Sequence, residues 1–268
     1  MYGEVVTNEQ LTPRLRRIVF GGEGLAEFES TGHTDEYVNA LFVPDGAPYT
    51  VPFDVEAARQ LDAPQRPHGR RYTIRSVDDD RGEITVDFVV HGDVGYAGRW
   101  AVHATAGDRL QMLGPSGGYS PDVDADWYLL AGDESAIPAI ARSLEALPAG
   151  ATAIALLVVD DRDGEFHLDG HSDLRLTWIH RYERAGDNGS SATALTDTLA
   201  ALDWPAGQPD VFVHGEAEEI RAVRRFLVGE RGVDRSATSI SPYWRRGQDD
   251  EAWRQIKRDW VAAMKSDV

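Results

Sequence analysis

From Val5 to about Pro115 the hydrophobic and polar positions fall into short alternating runs broken by turn residues: EVVTNEQ, LRRIVF, EYVNALFV, RRYTIRSV, EITVDFVVH and DRLQML. Six such runs with Gly and Pro between them predict a small closed antiparallel β-barrel. The acidic stretch VDDDRGEI, with Gly82, predicts the hairpin between the fourth and fifth strands. Between the fifth and sixth, GYAGRWAVHATAGD has helical spacing and predicts one short helix capping the barrel. FESTGHTDE and PDGAPYTVPFDVEAARQLDAPQRPHG are read as loops, the second long enough that a functional or mobile role is expected.

After GPSGGYSPDVDAD the rhythm changes to strand, helix, strand, helix. WYLLAGD, TAIALLVVD, LRLTWIH and DVFVHG are apolar runs of the kind found in strands buried on both faces. ESAIPAIARSLEALPAG, SATALTDTLAAL and EAEEIRAVRRFLVGE carry helical apolar spacing between them. This alternation predicts a mostly parallel sheet with right-handed crossovers, the architecture of nucleotide-binding domains. A last helix, DEAWRQIKRDWVAAM, is expected to place Trp253, Ile256, Trp260 and Ala263 on one face. The expected organisation is a barrel domain over residues 1–122 and an α/β domain with a C-terminal helix over 123–268. No internal repeat or low-complexity tract interrupts it.

Composition narrows the chemistry. The chain has 268 residues, enough for two domains, and a hydrophobic fraction of 42% with no apolar run long enough to span a membrane. The N-terminal MYGEVVTNEQ has no basic-then-apolar leader pattern, so a cytoplasmic location is expected. With no cysteine, disulfides, thiolate catalysis and Cys-ligated metal are excluded, and redox chemistry must come from a bound cofactor. A net charge of −18 opposes nucleic acid and anionic lipid as partners. Lys257 and Lys265 are the only lysines, so the cationic side chains are almost all arginine, whose planar fork suits carboxylate and phosphate.

Three stretches could carry chemistry. In HGRRYTIRSV, Arg70, Tyr72, Thr73 and Arg75 bring cations, an aromatic and a hydroxyl onto one strand. A flavin would use such groups as a cation for its pyrophosphate, a wall for its ring and a donor near N5. Strict alternation separates Arg70 and Tyr72 from Thr73 and Arg75 unless the strand bends; an edge strand with solvated arginines and a core Tyr72 is the plain reading. In DFVVHGDVGYAGRWA, a strand ending near Val89 and His91 runs through a Gly-rich turn into a helix whose first N–H groups suit a pyrophosphate. A lone histidine such as His91 is more often structural, and no second histidine stands at metal-ligand spacing, so no metal site is expected. In SPYWRRGQ, Tyr243 and Trp244 adjoin Arg245 and Arg246. That cluster would serve an anionic ligand, or Trp244 would pack the final helix while the arginines meet Asp249 and Asp250.

RRYTIR, VVHGDVGYAGRWA, GDRLQMLGPSGGY, YLLAGDESAIPAIARSLEALP, HGEAEEIRAVRRFL and YWRRGQDDEAWR together resemble the siderophore-interacting proteins, FAD-containing and NAD(P)H-dependent ferric-siderophore reductases. The resemblance runs in order from about Leu11 to Val261. It implies a ferredoxin reductase-like pairing of an FAD-binding barrel with a C-terminal nucleotide-binding domain. It further implies that Arg70, Tyr72, Thr73 and Arg75 contact FAD, with Thr73 tuning the flavin near N5. His91, with Val89 before it, and Gly95, Ala97, Trp100 and Ala101 fall on the family's adenine-ribose and pyrophosphate segment. There the usual Gly-Pro-Ala-Ser reads Gly95-Tyr96-Ala97-Gly98.

In the second domain Gly132, Asp133, Glu134 and Ser135 are implied at the nicotinamide nucleotide, with His214, Gly215 and Glu216 at the next strand end. The alternative at Asp133 is an ordinary helix cap. Tyr243, Trp244, Arg245 and Arg246 are implied near the cofactor or siderophore. The implied reaction passes electrons from NADH or NADPH through FAD to a ferric siderophore, with reduced ferredoxin as another donor and no acid–base or nucleophilic residue. Asp160 and Asp161 after the second strand lean towards NADH. The long loop from Pro44 to Pro67, with Arg66, Arg70 and Arg246, is expected to border the siderophore. A general flavin or ferredoxin-type reductase, and a ferric-siderophore carrier without enzymatic activity, are the other classes.

Overall fold

In the computed structural model, which describes residues 1–92, 95–170, 173–181 and 193–268, the alternating runs of the first half become six strands. These are β1 (Tyr2–Thr12), β2 (Leu15–Gly21), β3 (Tyr37–Phe42), β4 (His68–Asp78), β5 (Glu83–Val89) and β6 (Arg109–Ser116). They close into an antiparallel barrel in the order β1-β2-β5-β4-β3-β6. Every second side chain points inward, so Ile18, Phe20, Ile74, Val86, Phe88 and Met112 are shielded from solvent together. Arg17 and Asp87 face each other across β2 and β5 and form a two-pronged ion pair, both contacts 2.8 Å, with the carboxylate buried.

The stretch expected to be a long loop contains a helix, α1 (Val55–Arg59), capped by Asp54 accepting from Glu56 N at 2.9 Å and Ala57 N at 3.1 Å. Tyr49 and Phe53 pack ring to ring at 4.6 Å, and the Tyr49 hydroxyl donates to Gln65 O at 2.7 Å, so this stretch carries its own packing. The expected capping helix is α2 (Tyr96–His103); Asp93 and Val94 before it lie outside the described residues.

The chain divides into two units, Met1–Ser120 and Pro121–Val268, two residues before the boundary expected at 122. In the second unit β7 (Trp127–Asp133), β8 (Thr152–Val159), β9 (Asp173–His180), β10 (Pro209–Glu216) and β11 (Thr238–Trp244) form a sheet of order β11-β10-β7-β8-β9. All four pairings are parallel. β11 is absent from the sequence reading because Pro242 and alternating serines hide it. It tolerates that proline as an edge strand. β9 was expected to be buried on both faces, but it lies at the opposite edge with Asp173, Arg175 and Thr177 exposed.

The helices are α3 (Ile137–Ala146), α4 (Ala194–Ala200), α5 (Ala217–Arg224), which continues as a wider π-helical turn over Arg225–Glu230, and α6 (Asp250–Ser266). The expected start of α4 at Ser191 and Ala192 lies outside the described residues. Leu195, Ile220, Leu227 and Met264 bury one sheet face with Leu129, Leu156 and Val213. α3 packs on β7 and β8 without joining that cluster, so both faces are covered. On α6 the buried face is Trp253 and Met264 with Lys257, Trp260 and Val261 half-buried; Ile256 and Ala263 are exposed, correcting the expected stripe. Among the described residues no helix is long and apolar enough to cross a membrane.

Candidate functional site

In the first unit, β4 is regular up to Ile74 and then bulges at Arg75, which breaks the strict alternation expected for this strand. Tyr72 faces the barrel core, its ring 4.3 Å from that of Phe88 and 6.5 Å from that of Phe42, and it remains half-buried. Thr73 is buried, and Arg70 donates to Gly69 O at 2.9 Å while its side chain stays partly accessible. Tyr72 is thus a core aromatic with one accessible side rather than a free surface ring.

The N-terminus of α2 has no side-chain cap. Its N-cap, Gly95, adopts φ 72° and ψ 174°, a region almost confined to glycine. A Cβ at Gly92 or Gly95 would meet nothing within 4 Å, so space is open around the first-turn N–H groups. Ala97 and Ala101 are buried, and Trp100 packs near Phe20, Phe42 and Phe88 with centroids about 6 Å apart. These three side chains hold the helix to the barrel. At the other end, Asn8 donates to Ala101 O at 2.8 Å and Ala104 O at 2.7 Å, satisfying terminal carbonyls of α2. Arg16 holds Asn8 from behind at 2.9 Å.

Two residues outside the expected set join this end of the barrel. Tyr96 stacks on His68 with centroids 3.6 Å apart and planes 13° apart, tying the helix start to the start of β4. Arg14, in the β1–β2 turn, contacts His91 Nδ1 through its guanidinium. Arginine only donates, so in this contact Nδ1 is the acceptor and Nε2 carries the proton. The sequence signal for Arg14 was a single cation in a hairpin turn, legible only once β1, β2 and β5 are adjacent. The group implied here is FAD, and the donor set fits it: uncapped helical N–H groups beside open space, a histidine donor, the Arg14 and Arg70 cations, and one accessible tyrosine face.

The second unit's site lies at the carboxyl ends of its strands. Strand order reverses between β7 and β10, the switch point at which open α/β sheets bind ligands. Gly132, the last residue but one of β7, lies beside His214 of β10, and a Cβ there would come within 2.2 Å of His214 O, so only glycine fits. Asp133 is not the helix cap that was the alternative to its place at the nucleotide: α3 starts after Ala136. Its Oδ1 instead accepts from Ser135 N at 2.9 Å and Ser135 Oγ at 2.5 Å, and its Oδ2 from Trp244 Nε1 at 2.7 Å. Burial and then the Glu134 charge push Asp133 up to about 6, despite these bonds and Arg181. Glu134 is paired by Arg181 at 3.2 and 2.9 Å, and the same guanidinium contacts Asp160, which is therefore occupied rather than open to a ribose. Asp161 is exposed and accepts from Asp163 N at 3.0 Å.

His214 is buried, stacked 4.1 Å from Phe212 and bonded through Nε2 to Ser239 Oγ at 3.0 Å. Burial, and then Lys257, depress it to about 3, so it is neutral. Glu216 caps α5 through Oε2 and accepts from Arg246 N at 3.0 Å through Oε1. Arg245 reaches Glu218 at 2.8 Å, not Asp249 or Asp250: Asp249 caps α6, and Asp250 pairs with Arg254. Arg246 is exposed. Among the described residues no group of three or more His, Asp or Glu side chains could hold a metal ion.

Residues 4–119 match the model of the siderophore-interacting FAD-binding domain, and residues 125–247 that of the siderophore-interacting protein. The chain belongs to the siderophore-interacting protein family. It is 30% identical to the ferric vibriobactin reductase ViuB of Vibrio cholerae over 94% of this chain and 92% of that protein. The NADPH-dependent ferric-chelate reductase of Escherichia coli is 32% identical over 90% of this chain and 91% of its own. The crystal structure of the siderophore-interacting protein SipS from Aeromonas hydrophila superposes with a TM-score of 0.81 at 27% identity, covering 98% of both chains. The fold is ferredoxin reductase-like.

Proposed function

We propose that the protein is a ferric-siderophore reductase that takes electrons from NADH or NADPH, passes them through FAD and releases iron as Fe(II). The observation that carries this reading is the family match through both units, joined to the FAD-compatible donor set at the α2 N-terminus. Bound FAD supplies the change from a two-electron hydride donor to the one-electron reductions that Fe(III) needs. The chain's own residues do the holding. The first-turn N–H groups of α2, His91, Arg14 and Arg70 would hold the pyrophosphate of FAD, Tyr72 would support the flavin ring, and Thr73 would offer its hydroxyl to the ring's reactive edge. Arg75, at the bulge of the same strand, would be a further FAD contact. No side chain acts as nucleophile or general base.

The strand-end residues Gly132, Glu134 and Ser135, with His214 and Gly215, shape the nucleotide edge of the second unit. The donor is taken as NADH, because the exposed Asp161 after β8 suits a ribose hydroxyl and opposes a 2′-phosphate; reduced ferredoxin is the other donor class. Arg246, exposed in the second unit, presents its guanidinium to anionic portions of the chelate. Oxygen-rich chelators hold Fe(III) far better than Fe(II), so reduction frees the metal. A cytoplasmic role in iron acquisition goes with this reading, since the reaction draws on an NAD(P)H pool.

The test is an anaerobic absorbance spectrum of FAD-reconstituted protein, taken before and after nucleotide and then a ferric hydroxamate with a ferrous trap. Bleaching of the flavin bands followed by their recovery with trapped Fe(II) is expected. Flavin that reduces and reoxidises only with free flavin or a protein acceptor would instead indicate a general reductase.

A further inference from the structure

The strand-end carboxylates of the second unit are engaged with the chain itself. Asp133 and Glu216 end β7 and β10, the neighbours that flank the reversal in strand order. Both are buried. Asp133 Oδ2 accepts from the indole of Trp244 at 2.7 Å, and Glu216 Oε1 accepts from the backbone N–H of Arg246 at 3.0 Å. The remaining oxygens are used locally: Asp133 Oδ1 by Ser135, and Glu216 Oε2 by the N–H groups of Glu218 at 2.9 Å and Glu219 at 3.2 Å. The arrangement is close-fitting. A Cβ on Gly215 would lie 2.7 Å from Asp133 Oδ2. Two more contacts hold the same segment: the Trp253 indole donates to Tyr243 O at 3.1 Å, and Arg245 pairs with Glu218 at 2.8 Å.

We propose that Asp133 and Glu216 are positioning residues, fixing the Tyr243–Trp244–Arg245–Arg246 segment at the end of β11, rather than contacts to the nucleotide. Four acceptor oxygens on two buried side chains are already filled by this segment and by adjacent turns. What they set is where Arg246, exposed at the end of the segment, stands. This inference rests on the reductase reading of that segment, in which Arg246 meets anionic groups of the substrate.

The arrangement gives the positioning a pH signature. The groups facing Asp133 are Glu134 and Ser135 on its own turn, Arg181 after β9, Trp244 on β11 and Glu219 on α5. Glu216 faces Glu218 and Glu219 at the α5 N-terminus. Asp133 gains its proton as pH falls through about 6. A neutral carboxyl holds an indole N–H less firmly than a carboxylate does, so the segment loosens on acidification.

The experiment uses the FAD-reconstituted full chain with a ferric hydroxamate as probe. It compares hydrogen exchange at the Arg246 amide and Trp244 indole with chelate kinetics in wild type, Asp133→Asn, Glu216→Gln and Trp244→Phe. In Glu216→Gln one carbonyl oxygen must serve both the α5 cap and the latch, so Arg246 exchange should quicken about tenfold and KM for the chelate should rise more than kcat falls. In wild type the same KM should rise below pH 6. In Trp244→Phe, which has no indole N–H for Asp133 to hold, the segment should be loose at every pH and that transition should disappear. Unchanged Arg246 protection in Glu216→Gln, or a KM flat across pH 5–8, would overturn the proposal. If Asp133→Asn does not fold, Trp244→Phe reads the same bond from its other side. If no variant or wild type reduces the chelate, the reductase reading falls, while the exchange rates still decide the positioning.

Discussion

Replacing Gly95 by alanine isolates the backbone requirement at the start of α2. Gly95 sits at φ 72°, ψ 174°, where a residue with a Cβ costs about 1–3 kcal/mol. Space around it is open, since a Cβ would meet nothing within 4 Å, so the cost is conformational and no collision adds to it. If the free loop relaxes, FAD must restore the original geometry, and its Kd rises about 5- to 150-fold at 1.4 kcal/mol per factor of ten. If the helix start is held rigidly, the same strain appears as a lower melting temperature of the apoprotein. Fluorescence-quenching titration of FAD and a thermal melt of the apoprotein therefore share one total. Gly98→Ala is the control three residues on. Gly98 lies inside α2, its nearest Cβ neighbours are at 3.8–3.9 Å, and alanine should stabilise the helix by about 0.5–1 kcal/mol without weakening FAD. Gly95→Ala with wild-type affinity and an unchanged melt would refute the reasoning, because the left-handed backbone would then not be needed.

Asn8→Ala removes two hydrogen bonds to carbonyls at the end of α2 and should cost about 1–3 kcal/mol, seen as a lower denaturant midpoint with weakened FAD binding. Arg17→Met leaves the buried Asp87 carboxylate without its two-pronged partner; a loss of about 3–5 kcal/mol in a urea titration is expected, and a loss below 1 would contradict the pairing argument. Asp133 and Glu219 have folded pKa values of about 6 and about 7 against ordinary values of 3.8 and 4.5, through burial first and neighbouring carboxylates second. The folded state therefore keeps protons that the unfolded chain has released, and the second unit should lose stability as pH rises from 5 to 7.5. A melting temperature that climbs over that interval would contradict this sign. With a net charge of −18, cationic or neutral ferric chelates should be reduced faster than anionic ones at low salt. The difference should shrink as salt is added, and equal rates throughout a salt series would show that local arginines dominate.

Much of the fold was legible because alternation and helical spacing follow burial directly. The six barrel runs and the WYLLAGD and TAIALLVVD strands each have one dominant apolar pattern. Where the pattern was ambiguous, the reading strayed for identifiable reasons. TSISPYW carries proline and serines because β11 is an edge strand, so its burial signal is weak. LRLTWIH is apolar enough to pass for a central strand, yet its polar residues alternate, as an edge requires. On α6 Lys257 is half-buried beside Trp253, Trp260 and Met264, and a reading that followed apolar spacing alone turned the stripe towards Ile256 instead. Arg14, Tyr96 and Asn8 were invisible for another reason. Their partners His91, His68 and the α2 carbonyls come from distant parts of the chain, and only barrel closure brings them together.

The two units divide the electrostatic work in a way neither composition nor motif foretold. At the α2 N-terminus the first unit presents donors: open N–H groups, the His91 proton and arginine side chains. At its strand ends the second unit presents buried carboxylates, Asp133, Glu134, Asp160, Glu216 and Glu219, with Arg181 paired to two of them. A pyrophosphate is favoured at the first; at the second, carboxylates this close raise one another's cost of carrying charge. The carboxylates nonetheless persist in a buried setting, which requires that each be satisfied by structure rather than by ligand. Trp244, Ser135, Arg181 and the α5 N-terminus meet that requirement for four of the five. Glu219 keeps one buried oxygen without a hydrogen-bond partner among the described residues and, through burial first, shows the higher of the two raised carboxyl pKa values. The acidic strand ends are thus a scaffold for the arginine-bearing segment, and cation presentation to the substrate depends on carboxylates that never touch it.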